Sequence, residues 1–281
     1  MQRVSLLVAA ALLIPAALMI TGCDKLKSRD ARNQGVLAFK NAKYPQAVEK
    51  FKEAIALDPT DVTAQLYLAT SYMQQWIPGA DSADNTEMAR KATEEFHKVL
   101  DTDPNNITAL ASLASIAYNS ASSLPPDKKA EKYDEAAKWQ KKVAEIDPKN
   151  KDAYYWLGVI TWAKWYPQLM TARANLRMRQ EDPGPIKDKK VKEELKAQYG
   201  PMVDEGIANL NKALEIDPEY EDAMSYLNLL IRERADLVDS PDEYKKQIEV
   251  ADGWVQKALD TKKAKAARQP AATGITAEPA K

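Results

Sequence analysis

One stop signal recurs four times along the chain. Ala54-Ile55-Ala56-Leu57-Asp58-Pro59, Val99-Leu100-Asp101-Thr102-Asp103-Pro104, Val143-Ala144-Glu145-Ile146-Asp147-Pro148 and Ala213-Leu214-Glu215-Ile216-Asp217-Pro218 each close an apolar helical stretch with Asp-Pro. Proline has no N–H to donate and keeps the residue before it out of the α region, so each helix must end there. Counting back from each proline gives a packing pattern. A small residue lies twelve positions earlier (Ala47, Ala92, Ala136, Gly206), a bulky one about eight earlier (Phe51, Phe96, Trp139, Leu210), and a further apolar residue five earlier (Ala54, Val99, Val143, Ala213). Spacings of three and four residues put all three on one helical stripe. A fifth stretch, with Ala251, Val255 and Ala258, has the same interior without the Asp-Pro. Small residues let a neighbouring helix approach, and the bulky ones fill the space that this approach leaves.

Composition agrees with a chain of helices. Glycine is scarce at 9 of 281 residues, and 40 Lys and Arg interleave with 41 Asp and Glu for a net charge of −1. Many Gly-rich turns, which a β-sandwich needs, are missing. Balanced charge and a pI near 6.1 argue against a nucleic-acid binder, which carries a basic excess. One Cys forbids an intramolecular disulfide, and one His leaves little for metal binding or His-dependent catalysis. His97, among Glu94, Glu95 and Lys98, reads as a surface residue.

The first helix of each repeat carries a Leu-small or polar-small pair: Leu68-Ala69, Leu113-Ala114, Leu157-Gly158 and Gln34-Gly35, with Leu227-Asn228 departing from it. Together with the second-helix stripe, this resembles the tetratricopeptide repeat (TPR), a helix–turn–helix unit of about 34 residues. The resemblance implies an all-α fold, an α-solenoid of about five TPR-like units at about 28–61, 62–106, 107–150, 151–220 and 221–262. Successive Asp-Pro prolines lie 45, 44 and 70 residues apart, so residues are inserted within units. In the second and third units the extra residues predict a longer loop and about one more turn on each helix. In the fourth, Gln168 to Glu181 and Lys187 to Tyr199 have helical spacing around Asp182-Pro183-Gly184-Pro185. A projecting helical hairpin over 167–200 is expected, with a mobile charged excursion as the alternative and Pro167 kinking the first arm.

The N-terminus reads as an address. Met1-Gln2-Arg3 is followed by seventeen nearly unbroken apolar residues, Val4 to Ile20, and then Thr21-Gly22-Cys23. The run has the length of a signal-peptide apolar region. Ile20-Thr21-Gly22-Cys23 resembles the bacterial lipobox, which implies removal of residues 1–22 and lipid on Cys23, the only cofactor-like group expected. Residues 23–27 are then a lipidated anchor and short linker. Acyl chains on one residue anchor durably only in combination. The expected location is the bacterial cell envelope, on a membrane and facing the periplasm, with Asp24 tilting towards the inner one. From 263 to 281 the Ala/Pro/Lys composition predicts a disordered tail.

In the repeats that this chain resembles, ligand contacts come from set positions of the first helices, on the concave face. Carried over residue by residue, these positions give Arg29, Arg32, Phe39 and Lys40 in the first unit, Leu66 and Met73 in the second, and Tyr118 in the third. Tyr155 and Trp162 follow in the fourth, and Arg232, beside Glu233, in the fifth. Trp165 and Tyr166 are further aromatic candidates, with core packing as the alternative. The implied function is a membrane-anchored, non-enzymatic scaffold or assembly factor for envelope proteins. A periplasmic binding module for a glycan fragment or a lipid is the alternative.

Overall fold

The computed structural model describes residues 23–268, and the regular secondary structure among them is all helical. The helices are α1 (residues 23–40), α2 (Tyr44–Leu57), α3 (Val62–Met73), α4 (Ala83–Thr102), α5 (Ile107–Ser120), α6 (Pro126–Ile146), α7 (Lys151–Asn175), α8 (Lys189–Ile216), α9 (Glu221–Arg234) and α10 (Pro241–Arg268). Short 3₁₀ turns, Ala121–Ser123 and Ala235–Leu237, follow α5 and α9. Taken in pairs the helices give the five expected units, an all-α fold of the solenoid class. The expected signal peptide and residues 269–281 lie outside the described residues. No described helix is long and apolar enough to cross a membrane.

The Asp-Pro stop works the same way each time. The N–H groups of Asp58, Asp103, Asp147 and Asp217 each close the helix onto the carbonyl four residues back, at 2.8 to 2.9 Å. Their own carbonyls then accept from Asp61, Asn106, Asn150 and Tyr220, at 3.0 to 3.1 Å. The first three of these donor residues also cap the next helix, their side-chain oxygens accepting from the N–H of Ala64, Ala109 and Ala153. Tyr220 has no such side chain and α9 starts without a side-chain cap. Restoring the cap at a site like this is worth about 1 kcal/mol.

The chain divides into two compact units, 1–139 and 140–281, the division falling inside α6. In the first, Ala47, Phe51, Ala54, Ala92, Phe96 and Val99 are fully buried with Leu68, Ala69 and Tyr72 around them. In the second, Trp165, Leu169, Leu210, Met224, Leu227 and Leu230 form the core. The small positions are small because helices touch there. A Cβ on Gly158 would lie 2.4 Å from Leu210, as one on Gly35 would lie 2.6 Å from Phe51. In the third unit the bulky register position is held by buried Gln140, and Trp139 is only half-buried beside it.

Three boundaries differ from the sequence expectation. Residues 23–27 are helical and continuous with the rest of α1 rather than a linker, and Cys23 is exposed. In the second and third units only the second helix is lengthened, α4 to 20 residues and α6 to 21 against 14 in α2, while α3 and α5 keep 12 and 14. α10 continues past 262 to Arg268, because Lys265 pairs with Glu221 and Arg268 with Glu219 at 2.7 Å.

The insertion is a helical hairpin. α7 runs 25 residues and α8 runs 28, each with a proline inside, Pro167 and Pro201. The first arm ends at Asn175, earlier than its spacing suggested, because Arg177 adopts a left-handed φ of 58°. The hairpin's far end is packed. Ile186 is buried and donates its N–H to the Asp236 carbonyl at 3.0 Å, and Lys192 Nζ donates to the Val238 carbonyl at 3.0 Å.

Candidate partner-binding face

Tyr155, Trp162 and Tyr166 recur at intervals of seven and four on α7, and Tyr226, Leu229 and Glu233 at three and four on α9. Each set therefore lies along one face of its helix. The two helices bring their rings into one continuous strip. Tyr155 meets Tyr220 at 5.1 Å and Tyr226 edge-on at 5.7 Å; Trp162 meets Tyr226 edge-on at 5.7 Å and stacks on Tyr166 at 5.1 Å. Edge-to-face and stacked contacts at these distances hold the rings mutually. All five rings are half-exposed.

Polar groups fix the strip at both ends. The Tyr220 hydroxyl donates to Asp152 at 2.8 Å, and burial with that carboxylate raises its pKa. Lys151 sits 4.7 Å over the Tyr220 ring while paired with Asp217 at 2.6 Å. At the other end, Gln180 from the hairpin donates to the Tyr166 hydroxyl at 2.8 Å. Between them, the Trp162 indole N–H donates to Glu233 Oε1 at 2.9 Å. Glu233 is only 9% exposed, and its Oε2 finds no hydrogen-bond partner among the described residues.

Burial pushes the Glu233 carboxyl up to about 8; the Trp162 bond opposes the rise and the Asp236 charge adds to it. In the unfolded chain the same group ionises near its ordinary value of 4.5. Folding therefore holds a proton that the unfolded chain has released, and stability falls as pH rises from about 4.5 to about 8. Glu233→Gln is expected to abolish that fall. The variant should match wild type at pH 4 and exceed it by about 2 kcal/mol at pH 8 in urea titrations, within a ceiling of about 5 kcal/mol for such a gap.

The other carried-over positions do not form a second cluster. Arg32 is committed to Asp61 at 2.8 Å. Arg29 lines an open cavity of about 890 Å³ with Leu26, Asp30 and Glu53 between α1 and α2, away from Leu66 and Met73. Phe39 packs edge-on to Tyr44 and Tyr67, and Leu66 and Met73 pack half-buried against the first core. Lys40 is exposed. Tyr118 pairs with Tyr133 of α6 at 5.5 Å. Arg232 turns to Asp252 of α10 at 2.5 Å rather than to the strip. Trp165 belongs to the core, 0% exposed and 5.5 Å from Tyr199. Tyr220 and Tyr226 were not among the carried-over positions; the seven-residue spacing of Tyr226 to Glu233 is the signal that could have placed Tyr226 on this face. Among the described residues no group of three or more His, Cys, Asp and Glu is placed to hold a metal.

No family model matches the chain, and no curated protein matches it. Among solved structures it is similar to the MamA protein, at 16% identity over 87% of this chain and 97% of that one, with a TM-score of 0.53. It is also similar to MamA residues 41 to the end from Desulfovibrio magneticus RS-1, at 17% identity over 85% and 96%, with a TM-score of 0.51. YrrB, described as a TPR protein with an unusual peptide-binding site, aligns at 16% identity over 83% and 90%, with a TM-score of 0.48. The repeated Asp-Pro turn, the small–bulky stripe and the helix pairing make this a TPR-type fold.

Proposed function

We propose that this TPR-type chain is a non-enzymatic interaction scaffold of the cell envelope, held to a membrane by lipid on Cys23 and binding an extended segment of a partner protein on the strip of α7 and α9. The strip carries the reading: five contiguous half-exposed rings on two braced helices are already in place before a partner arrives. Preorganised aromatics contribute most of the energy of many interfaces and lose little entropy on binding.

The test is in-cell cross-linking of the full-length chain followed by membrane fractionation. Cys23→Ser is expected to move the protein from the membrane to the soluble fraction while its cross-linked partners stay the same. Trp162→Ala with Tyr226→Ala is expected to leave it at the membrane and remove those partners. Unchanged fractionation of the first variant would exclude the anchor, and unchanged partners of the second would exclude the strip.

A further inference from the structure

We infer that the strip selects a cationic segment: the partner inserts a lysine or arginine side chain among Tyr155, Trp162 and Tyr226, with Glu233 and Asp222 balancing its charge. This rests on the segment-binding reading above and adds the chemistry of the segment.

Three observations carry it. The faces of Trp and Tyr rings attract cations, Trp most strongly, and the attraction grows as water is excluded. The acids of this region outnumber the cations left to answer them. Tyr220 binds Asp152, and Asp222 lies close enough to act on both Tyr220 and Tyr226. Lys151 is held by Asp217, Arg232 by Asp252 and Asn228, Arg234 by Asp204 and Gln247, and Lys164 is itself engaged. Third, Glu233 offers an unused acceptor. Trp162 takes Oε1, while Oε2 of this nine-tenths buried side chain has no donor among the described residues.

The position of Glu233 is otherwise unfavourable, which argues for use rather than packing. It lies in the last turn of α9, where the helix dipole disfavours an acid, and it has Asp236 close behind it. A cation beside Trp162 would answer both. It would also draw the proton off the carboxyl, so binding strengthens as pH rises towards 8.

The experiment uses the soluble full repeat region, residues 24–281, and peptides of ~12 residues, long enough at ~3.3 Å per residue to span the strip. Their backbones are identical and carry four Lys, four Gln or four Glu. Binding is read by calorimetry and by Trp emission. The Lys peptide is expected to bind about tenfold tighter than the Gln peptide, and the Glu peptide weakest. Tyr226→Ala should remove binding. Glu233→Gln, which keeps the Trp162 acceptor, should reduce the Lys preference to about threefold or less. Between pH 6.5 and 8.5 the Lys preference should rise in wild type and stay flat in Glu233→Gln. The charged neighbours (Asp236 with Arg173, Arg232 with Asp252, Arg234 with Asp204, and Asp222) are common to both proteins, so the difference isolates Glu233. Equal affinity for the Lys and Gln peptides would overturn the cationic selection and leave segment binding standing. Failure of all three peptides to bind would overturn both.

Discussion

Asp236→Ala is expected to lower the unfolding free energy by about 3–5 kcal/mol, the cost of stranding a buried charge. Arg173 and Asp236 are 63 residues apart in sequence and pair at 2.5 Å, with side chains only 5% and 6% exposed. The guanidinium also donates to the carbonyls of Arg179, at 2.8 Å, and Asp182, so it closes the end of the hairpin as well. Its Nε has no hydrogen-bond partner among the described residues, and the Asp236 carboxylate is the counter-charge bonded to it. Burial raises the Asp236 pKa, the arginine opposing the rise. Removing the acid leaves a cation with carbonyl dipoles alone. Arg173→Met together with Asp236→Ala should recover about half the loss, because a cavity costs less than an unpaired charge. Urea titrations of the three proteins at pH 7 measure this. A single substitution within 1 kcal/mol of wild type would show that water reaches the pair.

Trp165→Ala should cost about 3–5 kcal/mol. Trp165 is the largest fully buried side chain among the described residues, seated against Tyr199 of α8 in the second core. Phenylalanine at the same site should cost about 1 kcal/mol or less. The indole N–H has no hydrogen-bond partner among the described residues, so the smaller ring gives up packing volume and also relieves an unsatisfied donor. The contrast between Ala and Phe separates volume from polarity. If Phe were as damaging as Ala, the N–H would be bonded in solution.

The repeat was legible because its signals are local. An Asp-Pro stop and a stripe at offsets of four and three need only one helix to be read, and Ala47, Phe51 and Ala54 or Gly206, Leu210 and Ala213 are buried where the stripe put them. The third unit shows the limit: Trp139 was the bulkiest residue nearby, yet the register placed Gln140 inward. Charge left an alternative open at the hairpin. The lysines around 187–196 allowed a solvated excursion beside the expected helical hairpin. Whether Lys192 faces solvent or a carbonyl 46 residues away depends on tertiary approach, which local spacing does not carry. The tail boundary failed similarly, since α10 is extended by pairs reaching back to Glu219 and Glu221. On the aromatic strip, the family positions include Tyr155 and Trp162. They also singled out Arg232, which a neighbouring helix claims, while Tyr226 entered only through its contact with both of those rings.

The anchoring of the hairpin also decides what can be exchanged. Arg173, Ile186 and Lys192 are fitted to the chain between α9 and α10, and that corner has its carbonyls and its one buried acid answered from the hairpin. A graft of residues 167–200 into another repeat protein would carry half of a lock. The transferable piece runs from Lys151 through Ser240, hairpin and corner together, and a recombination junction placed anywhere inside it separates residues that have settled each other's charge.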